Sequence, residues 1–230
     1  MKIDILTLFP EMFAPLSTSL IGKAQEKNLV DIEITNFRDY SAEKHKKVDD
    51  YPYGGGAGML IQAQPIYDAI MDKKTDKSKV IYMSPKGKVL NQAMVESLAK
   101  EEHLILLCGH YEGIDERAIE LCVDEQVSIG DYVLTGGELP AMVLVDSILR
   151  YVPNVLHGED SVVEESFGEG LLEYPQYTHP REFMGLAVPE VLISGNHAKI
   201  AEWRQNMRLV ETKKYRPDLY KKYVKSKNSK

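Results

Sequence analysis

The thirteen residues Ser128-Ile-Gly-Asp-Tyr-Val-Leu-Thr-Gly-Gly-Glu-Leu-Pro140 run from a short apolar segment into a helical one and carry Gly130, Gly136, Gly137 and Pro140 on the way. A packed strand or helix disfavours that density of special backbone positions. A loop that brings its main chain against a ligand favours it, because glycine has no Cβ to hold the ligand off. A second stretch of the same kind, Cys108-Gly-His-Tyr-Glu-Gly-Ile-Asp-Glu-Arg117, follows the apolar run His103-Leu-Ile-Leu-Leu107. Either alone would pass for an ordinary tight turn. Together, after neighbouring strands, they describe a nucleotide-like site on an open α/β sheet.

The flanking sequence agrees. Short runs rich in Ile, Leu and Val predict strands over 3–8, 31–36, 79–83, 104–108 and 123–129. Helical patterns lie between them, over 12–27, 64–71, 91–100, 114–121 and 139–151, with Asn91 as a candidate N-cap. Such βαβα alternation predicts an α/β fold, a parallel sheet with helices on both faces. From Pro153 the character changes. Residues 158–173 hold six acidic residues, three glycines and no Lys or Arg, the composition of a mobile connector. Beyond them the pattern is helical: Ser194 or Asn196 caps a helix through Trp203 to about Val210, and Arg216-Pro217 breaks it before a last short helix. The expected division is therefore 1–157, an α/β domain; 158–173, a flexible linker or lid; and 174–230, a small helical domain.

Composition narrows the class. The chain has 230 residues, 43% hydrophobic and 27% charged, and its two cysteines fit a reducing compartment. No Cys/His spacing suits structural zinc, no apolar run approaches a membrane span, and the N-terminus reads as a first strand rather than a signal peptide; a cytoplasmic protein is expected. The net charge is −7, but residues 199–230 carry eleven Lys or Arg against three Asp or Glu, a surplus of eight. The other 198 residues then hold −15. That asymmetry points to a polyanion-binding C-terminal end, although the terminal run Lys225-Ser-Lys-Asn-Ser-Lys230 reads as a solvated tail. Neither a Gly-x-Gly-x-x-Gly after a strand nor a Gly-Lys-Ser/Thr phosphate loop is present. Gly54-Gly-Gly-Ala-Gly58 lacks the lysine of a phosphate cradle and follows no clear strand.

Both glycine-rich loops resemble the cofactor loops of the bacterial tRNA (guanine-N1)-methyltransferases, members of the knotted SPOUT superfamily. Leu8-Phe-Pro-Glu-Met-Phe13, Val48-Asp-Asp-Tyr-Pro-Tyr-Gly-Gly-Gly-Ala-Gly-Met59 and Leu192-Ile-Ser-Gly-Asn-His197 are similar to the same family, so the resemblance covers nearly the whole chain. It implies a trefoil knot near the cofactor loops, an exception to the rule of un-knotted connections. It also implies that the Gly54–Gly58 loop lies near the substrate entrance. S-adenosylmethionine is expected among three loops: Tyr82, Met83, Ser84 and Pro85 after the third strand; Gly109, Tyr111, Glu112 and Gly113; and Ser128, Ile129, Gly130, Asp131, Tyr132, Val133, Leu134, Gly136, Gly137 and Pro140. Main-chain groups would read the adenine edge while Ile129 and Leu134 sandwich the ring. A phosphate-free cofactor accounts for loops dominated by glycine rather than lysine.

The implied reaction is methyl transfer to N1 of guanosine at nucleotide 37 of tRNA, next to the anticodon. The family's catalytic arginine maps onto Arg150, and its catalytic carboxylate, typically Asp, onto Glu165 in Glu164-Glu-Ser-Phe167. Magnesium assists the family reaction, and Glu112 is a candidate to help place Mg2+; an ordinary role accepting hydrogen bonds from loop amides stands beside it. The anticodon stem-loop would be gripped through phosphate contacts by Lys199, Arg204, Arg208 and Lys214, with Lys213 and Arg216 as further candidates. His179 stands where the family usually has arginine, and Arg181 is near enough in sequence to substitute. The resemblance further implies a homodimer with the active site at the subunit interface. Two alternatives stay open at this point: a sibling SPOUT enzyme with another RNA target atom, and a non-catalytic RNA-binding relative.

Overall fold

The computed structural model describes residues 1–156, 165–167 and 169–228, and the chain divides into two compact units, Met1–His157 and Gly158–Lys230. The first is built on a five-stranded sheet in the order β2-β1-β6-β5-β7, with every neighbouring pair parallel. The strands are β1 (Lys2–Thr7), β2 (Asp31–Asn36), β5 (Ser78–Val89), β6 (His103–Cys108) and β7 (Glu125–Ser128). A two-residue strand β3 (Asp49–Asp50) pairs antiparallel with β4 (Leu60–Ile61). The Gly54–Gly58 loop joins these two, so a strand does precede it, one too short to show in hydrophobic periodicity.

Side-chain alternation along the strands sorts the core into two layers. Ile3, Ile5, Leu104, Leu106, Cys108, Ile81 and Met83 pack on one face with α1 (Ser19–Glu26), α3 (Gln92–Leu98) and α5 (Glu138–Leu149). Leu6, Ile105, Leu107, Val80 and Tyr82 pack on the other with α2 (Ala63–Lys73) and α4 (Glu116–Cys122). β6, buried along its whole length, is the strand covered from both sides, as expected where helices cover both faces of a parallel sheet. Helix α5 contributes Ala141, Leu144, Val145, Ile148 and Leu149, all at most 1% exposed. That i, i+3, i+4 spacing makes one wide apolar stripe.

Local boundaries follow capping chemistry. Asn91 caps α3 as expected, its Oδ1 accepting from Met94 N at 3.1 Å. Asp115 caps α4 by accepting from Arg117 N, and the Arg117 guanidinium grips the same carboxylate at 2.7 and 2.9 Å, holding Asp115 below the usual carboxylate range. The helix expected over 12–27 is instead a 3-10 turn (Pro10–Ser17) followed by α1, with Pro15 inside the first piece, where a proline removes an N–H donor.

At the amino ends of β5 and β6, Ser78 Oγ, His103 and the buried Asp4 form a hydrogen-bonded row at 2.7 and 2.6 Å. Its composition is that of a hydrolytic triad. The Ser78 hydroxyl, however, is already held in the Thr75–Ser78 turn by Thr75 N at 2.8 Å, and neither described cavity is lined by the row. It pairs His103 with Asp4 Oδ2 where the sheet begins, while Asp4 Oδ1 meets no hydrogen-bond partner among the described residues.

In the second unit β8 (Glu182–Phe183) and β9 (Leu186–Ala187) form a small hairpin, and two helices follow, α6 (His197–Tyr215) and α7 (Pro217–Asn228). Asn196, not Ser194, caps α6 by accepting from Lys199 N at 3.1 Å. The helix runs past Val210 to Tyr215 and breaks before Pro217, which opens α7 at the position where proline is tolerated. Lys225 and Lys227, expected in a solvated tail, are exposed but helical. Of the predicted 158–173 connector, residues 158–164 and 168, Glu164 among them, lie outside the described residues. The described remainder is a tight turn: Phe167 N donates to Leu171 O at 2.7 Å, Glu173 N to Ser166 Oγ at 3.0 Å, and Leu171 is fully buried.

Candidate active site

A cavity of about 560 Å³ opens over the carboxyl ends of β5, β6 and β7, the edge where open α/β sheets bind ligands. Three segments wall it. The first is a break in β5: Met83 and Lys88 both pair with Val127, so Ser84–Gly87 loop out of the ladder between them. The expected Tyr82–Pro85 loop is thus a bulge inside a strand of twelve residues rather than a turn after a strand ending at Met83. Bulges of this kind re-aim the chain beside functional sites. At Gly87 an added Cβ would meet the backbone carbonyl carbon of Gln126 at 2.4 Å, so only glycine lets the returning chain lie against β7.

The other two segments are the two glycine-rich loops, and they are sewn together. Gly137 N donates to Gly109 O at 2.9 Å, and His110 and Gly136 form an antiparallel bridge. A Cβ on Gly137 would lie 2.8 Å from Cys108 Cα and 3.0 Å from Gly109 N. The room that glycine leaves here is therefore filled by neighbouring backbone, not by open space. Gly137→Ala is expected to destabilise the unit by about 1–3 kcal/mol, the usual cost of overpacking, and to weaken ligand binding with it; urea denaturation and a calorimetric titration of S-adenosylmethionine check both. Unchanged values on both would remove the seam as a structural element.

Behind the seam, Glu138 at the start of α5 is 2% exposed, and its Oε1 accepts from Thr7 Oγ1 at 2.8 Å. Thr7 Oγ1 in turn accepts from Phe9 N at 3.0 Å. This buried carboxylate ties the end of β1 to the start of α5. Burial, with the Glu138 charge adding to it, pushes the Cys108 thiol up, so Cys108 is a packed, unreactive side chain. Burial also pushes Tyr82 up to about 12, keeping the phenol at the cavity wall neutral.

Every residue expected at the cofactor lines this cavity except Asp131, which is exposed and points to no lining position. The three loops are distant in sequence and meet because β5 lies between β6 and β7. Leu60, Lys86, His110, Glu116 and Thr135 line it too and were not anticipated. His110 and Thr135 stand inside the quoted loops, and Lys86 directly follows Pro85. Leu60 has no local signal, because it arrives through β4: Glu112 N donates to Met59 O and Ile61 N to Gly113 O, laying that strand along the Gly109–Gly113 loop. Arg38 reaches the same loop, its Nη2 donating to Tyr111 Oη at 3.3 Å.

The lining carries little positive charge. Lys86 is its one Lys or Arg and pairs with Glu116 at 3.4 Å, which leaves the Glu112 carboxylate as the remaining formal charge. A polyphosphate would meet no cationic grip here, whereas a positively charged ligand without phosphates would meet the Glu112 carboxylate. Among the described residues no group of three or more His, Cys, Asp or Glu side chains is arranged to hold a metal ion.

Arg150 is the C-cap of α5 and half-buried, at the negative end of the helix dipole, where a guanidinium is favoured. Glu165 is half-buried at the start of the turn that closes on Leu171. They belong to different units. Of the residues expected to touch RNA, Lys199, Lys213, Lys214 and Arg216 are exposed on α6 or at its end, Arg204 is half-buried, and Arg208 is buried against Glu169 at 2.7 Å. Arg181 is engaged with both Glu190 oxygens at 2.8 and 2.9 Å, and His179 is exposed. Among the described residues no helix is long and apolar enough to cross a membrane.

Sheet, bulge and seamed loops define an α/β protein with a main-chain-walled cavity at the carboxyl edge of its parallel sheet. Residues 1–222 match the family described as tRNA (Guanine-1)-methyltransferase TrmD. A tRNA (guanine-N(1)-)-methyltransferase of Ruminiclostridium cellulolyticum is 59% identical over 226 residues, covering 96% of this chain and 97% of the relative. Enzymes of the same name from Clostridium beijerinckii (59% identical, 96% and 93% covered) and Clostridioides difficile (56%, 96% and 98%) are similar over the same extent. The chain belongs to this methyltransferase family.

Proposed function

We propose that this chain transfers a methyl group from S-adenosylmethionine to N1 of guanosine 37 in tRNA. The observation that carries the reading is the cavity itself: three loops singled out for their likeness to the family's donor loops converge on one main-chain-rich pocket with a single unpaired-sign carboxylate, Glu112, in its lining. That lining suits a cationic, phosphate-free donor. When bound, the sulfonium supplies a methyl group on a good leaving group. Ile129 and Leu134 flank the adenine, and the backbone of the 109–113 and 128–137 loops reads its edge.

The chain's own task is to orient the donor and the target nitrogen in line and to take the N1 proton. As the new N–C bond forms and the C–S bond breaks, the N1 proton passes to the Glu165 carboxylate. Negative charge that gathers on guanine O6 meets the Arg150 guanidinium. Glu112 is the lining residue that would help place Mg2+. The target base is splayed from the anticodon loop, and the basic exposed face of α6, with Lys199 and Lys214, supplies phosphate contacts.

The finer architecture follows the same reading. A trefoil knot in the first unit belongs to the same reading, on the family likeness of the two glycine-rich loops. The described linker residues, 165–167 and 169–173, would belong to a lid that closes over the base and excludes water. Two copies assemble so that the donor cavity of one faces the C-terminal unit of the other; a monomer in sedimentation at micromolar concentration would contradict that assembly. The deciding assay for the reaction uses labelled S-adenosylmethionine and two tRNA transcripts, one with guanosine and one with adenosine at nucleotide 37. Labelled 1-methylguanosine from the first and no label from the second is the expected result. Label on any other atom, or in both transcripts, would overturn it.

A further inference from the structure

The C-terminal unit holds a cavity of its own, about 450 Å³, whose lining includes Tyr174, Tyr177, His197, Arg204, Gln205 and Arg208. Arg208 is 7% exposed. Its Nη1 donates to Glu169 at 2.7 Å, but Nε and Nη2 are buried and meet no acceptor among the described residues. Buried donors in folded proteins find acceptors almost without exception. An oxyanion entering the cavity is the partner a guanidinium fork accommodates best, because the charge assists both hydrogen bonds.

Aromatic surface stands beside this cation. The Arg204 guanidinium lies over the Tyr174 ring at 4.8 Å, and Tyr174 and Tyr177 sit 6.5 and 6.3 Å from Trp203, centroid to centroid. Tyr177 is the exposed member, at 47%. An aromatic platform next to a desolvated guanidinium is the combination that holds a base by stacking and its phosphate by charge. Gln205 and His197 add donors and acceptors at the rim. The volume falls in the ~300–1,000 Å³ range of small-ligand pockets, and the surplus of eight positive charges over residues 199–230 draws anions toward it.

We propose that this cavity is a nucleotide site, the phosphate held by Arg208 and the base stacked on Tyr177. It shares no lining residue with the cavity at the sheet edge. The nucleotide comes either from the RNA substrate, in which case the site extends the RNA reading given above, or from free mononucleotide.

Trp203 is the chain's only tryptophan and touches the aromatic wall, so intrinsic fluorescence of the full chain reports the site. GMP, AMP, inorganic phosphate and an anticodon stem-loop RNA are each titrated. A saturable change with GMP or AMP, stronger than with phosphate alone, assigns the free nucleotide; a change with the stem-loop only assigns RNA. In either case Arg208→Met and Tyr177→Leu each lower affinity tenfold or more. Because Arg208→Met also breaks the Glu169 pair, Tyr177→Leu and Gln205→Leu provide the readout if that variant fails to fold. No change with any probe, or a change that Tyr177→Leu and Gln205→Leu leave intact, overturns the proposal. Titration of S-adenosylmethionine runs alongside by calorimetry. Its binding is independent of these variants, so absence of any nucleotide response in the unsubstituted chain with donor binding intact sinks this site alone. Absent donor binding instead sinks the methyl-transfer reading.

Discussion

Glu165→Ala is expected to lower methyl transfer by about 10²–10⁴-fold, the range a positioned general base supplies, while S-adenosylmethionine binds as before. The N1 proton of guanine must leave as the methyl arrives, and alanine has no atom to take it. The sheet-edge cavity proposed for the donor is not lined by Glu165. The informative companion is Glu165→Asp. Aspartate is one methylene shorter and keeps the same chemistry, so partial activity with an unchanged pH profile would place the carboxylate in proton transfer rather than in holding the turn. Single-turnover assays with tRNA and calorimetry with the donor separate the two steps. Near-normal turnover of the alanine variant would exclude Glu165 as the base and move attention to Glu164.

Arg150→Met is expected to cost about 10²–10³-fold in kcat, as loss of one preorganised donor to a developing oxyanion does elsewhere. Methionine keeps most of the volume and the helix propensity at the end of α5, so the fold should tolerate it. It removes the cation proposed to meet charge growing on O6. Because that charge is absent in the ground state, kcat should fall more than KM rises. Arg150→Lys is the control, since a lysine keeps the charge and loses the fork. If both variants raise KM with kcat intact, Arg150 binds the RNA and does not stabilise the transition state.

What the chain made legible was periodic or chemically marked. β2 matches its expected range residue for residue, and β6 begins one residue early, because short apolar runs between turn residues leave little choice of period. Asn91 and Asn196 announced their helices by a side chain that competes with backbone. The β5 bulge was not legible: Ser84-Pro-Lys-Gly87 has turn composition, and only pairing with β7 on both sides of it makes it part of a strand. The glycines marked loops that wall the sheet-edge cavity, but for an incomplete reason. They promised room for a ligand, whereas Gly137 and Gly87 make room for other backbone. Arg208 shows the complementary limit. A basic residue in a basic segment reads as solvent-facing, and its burial depends on Glu169, thirty-nine positions away.

The stitch between Gly137 and Gly109 has a thermodynamic corollary. Two walls of the sheet-edge cavity that share a hydrogen bond and a strand bridge must come apart together for either to open. A bound donor touching both acts as a rivet through that joint, and mass action adds RT ln(1 + [L]/Kd) to the resistance of the whole first unit, about 2.7 kcal/mol at a hundredfold excess over Kd. Melting of the N-terminal unit should therefore climb with donor concentration as one cooperative transition rather than as a stiffened loop on an unchanged body.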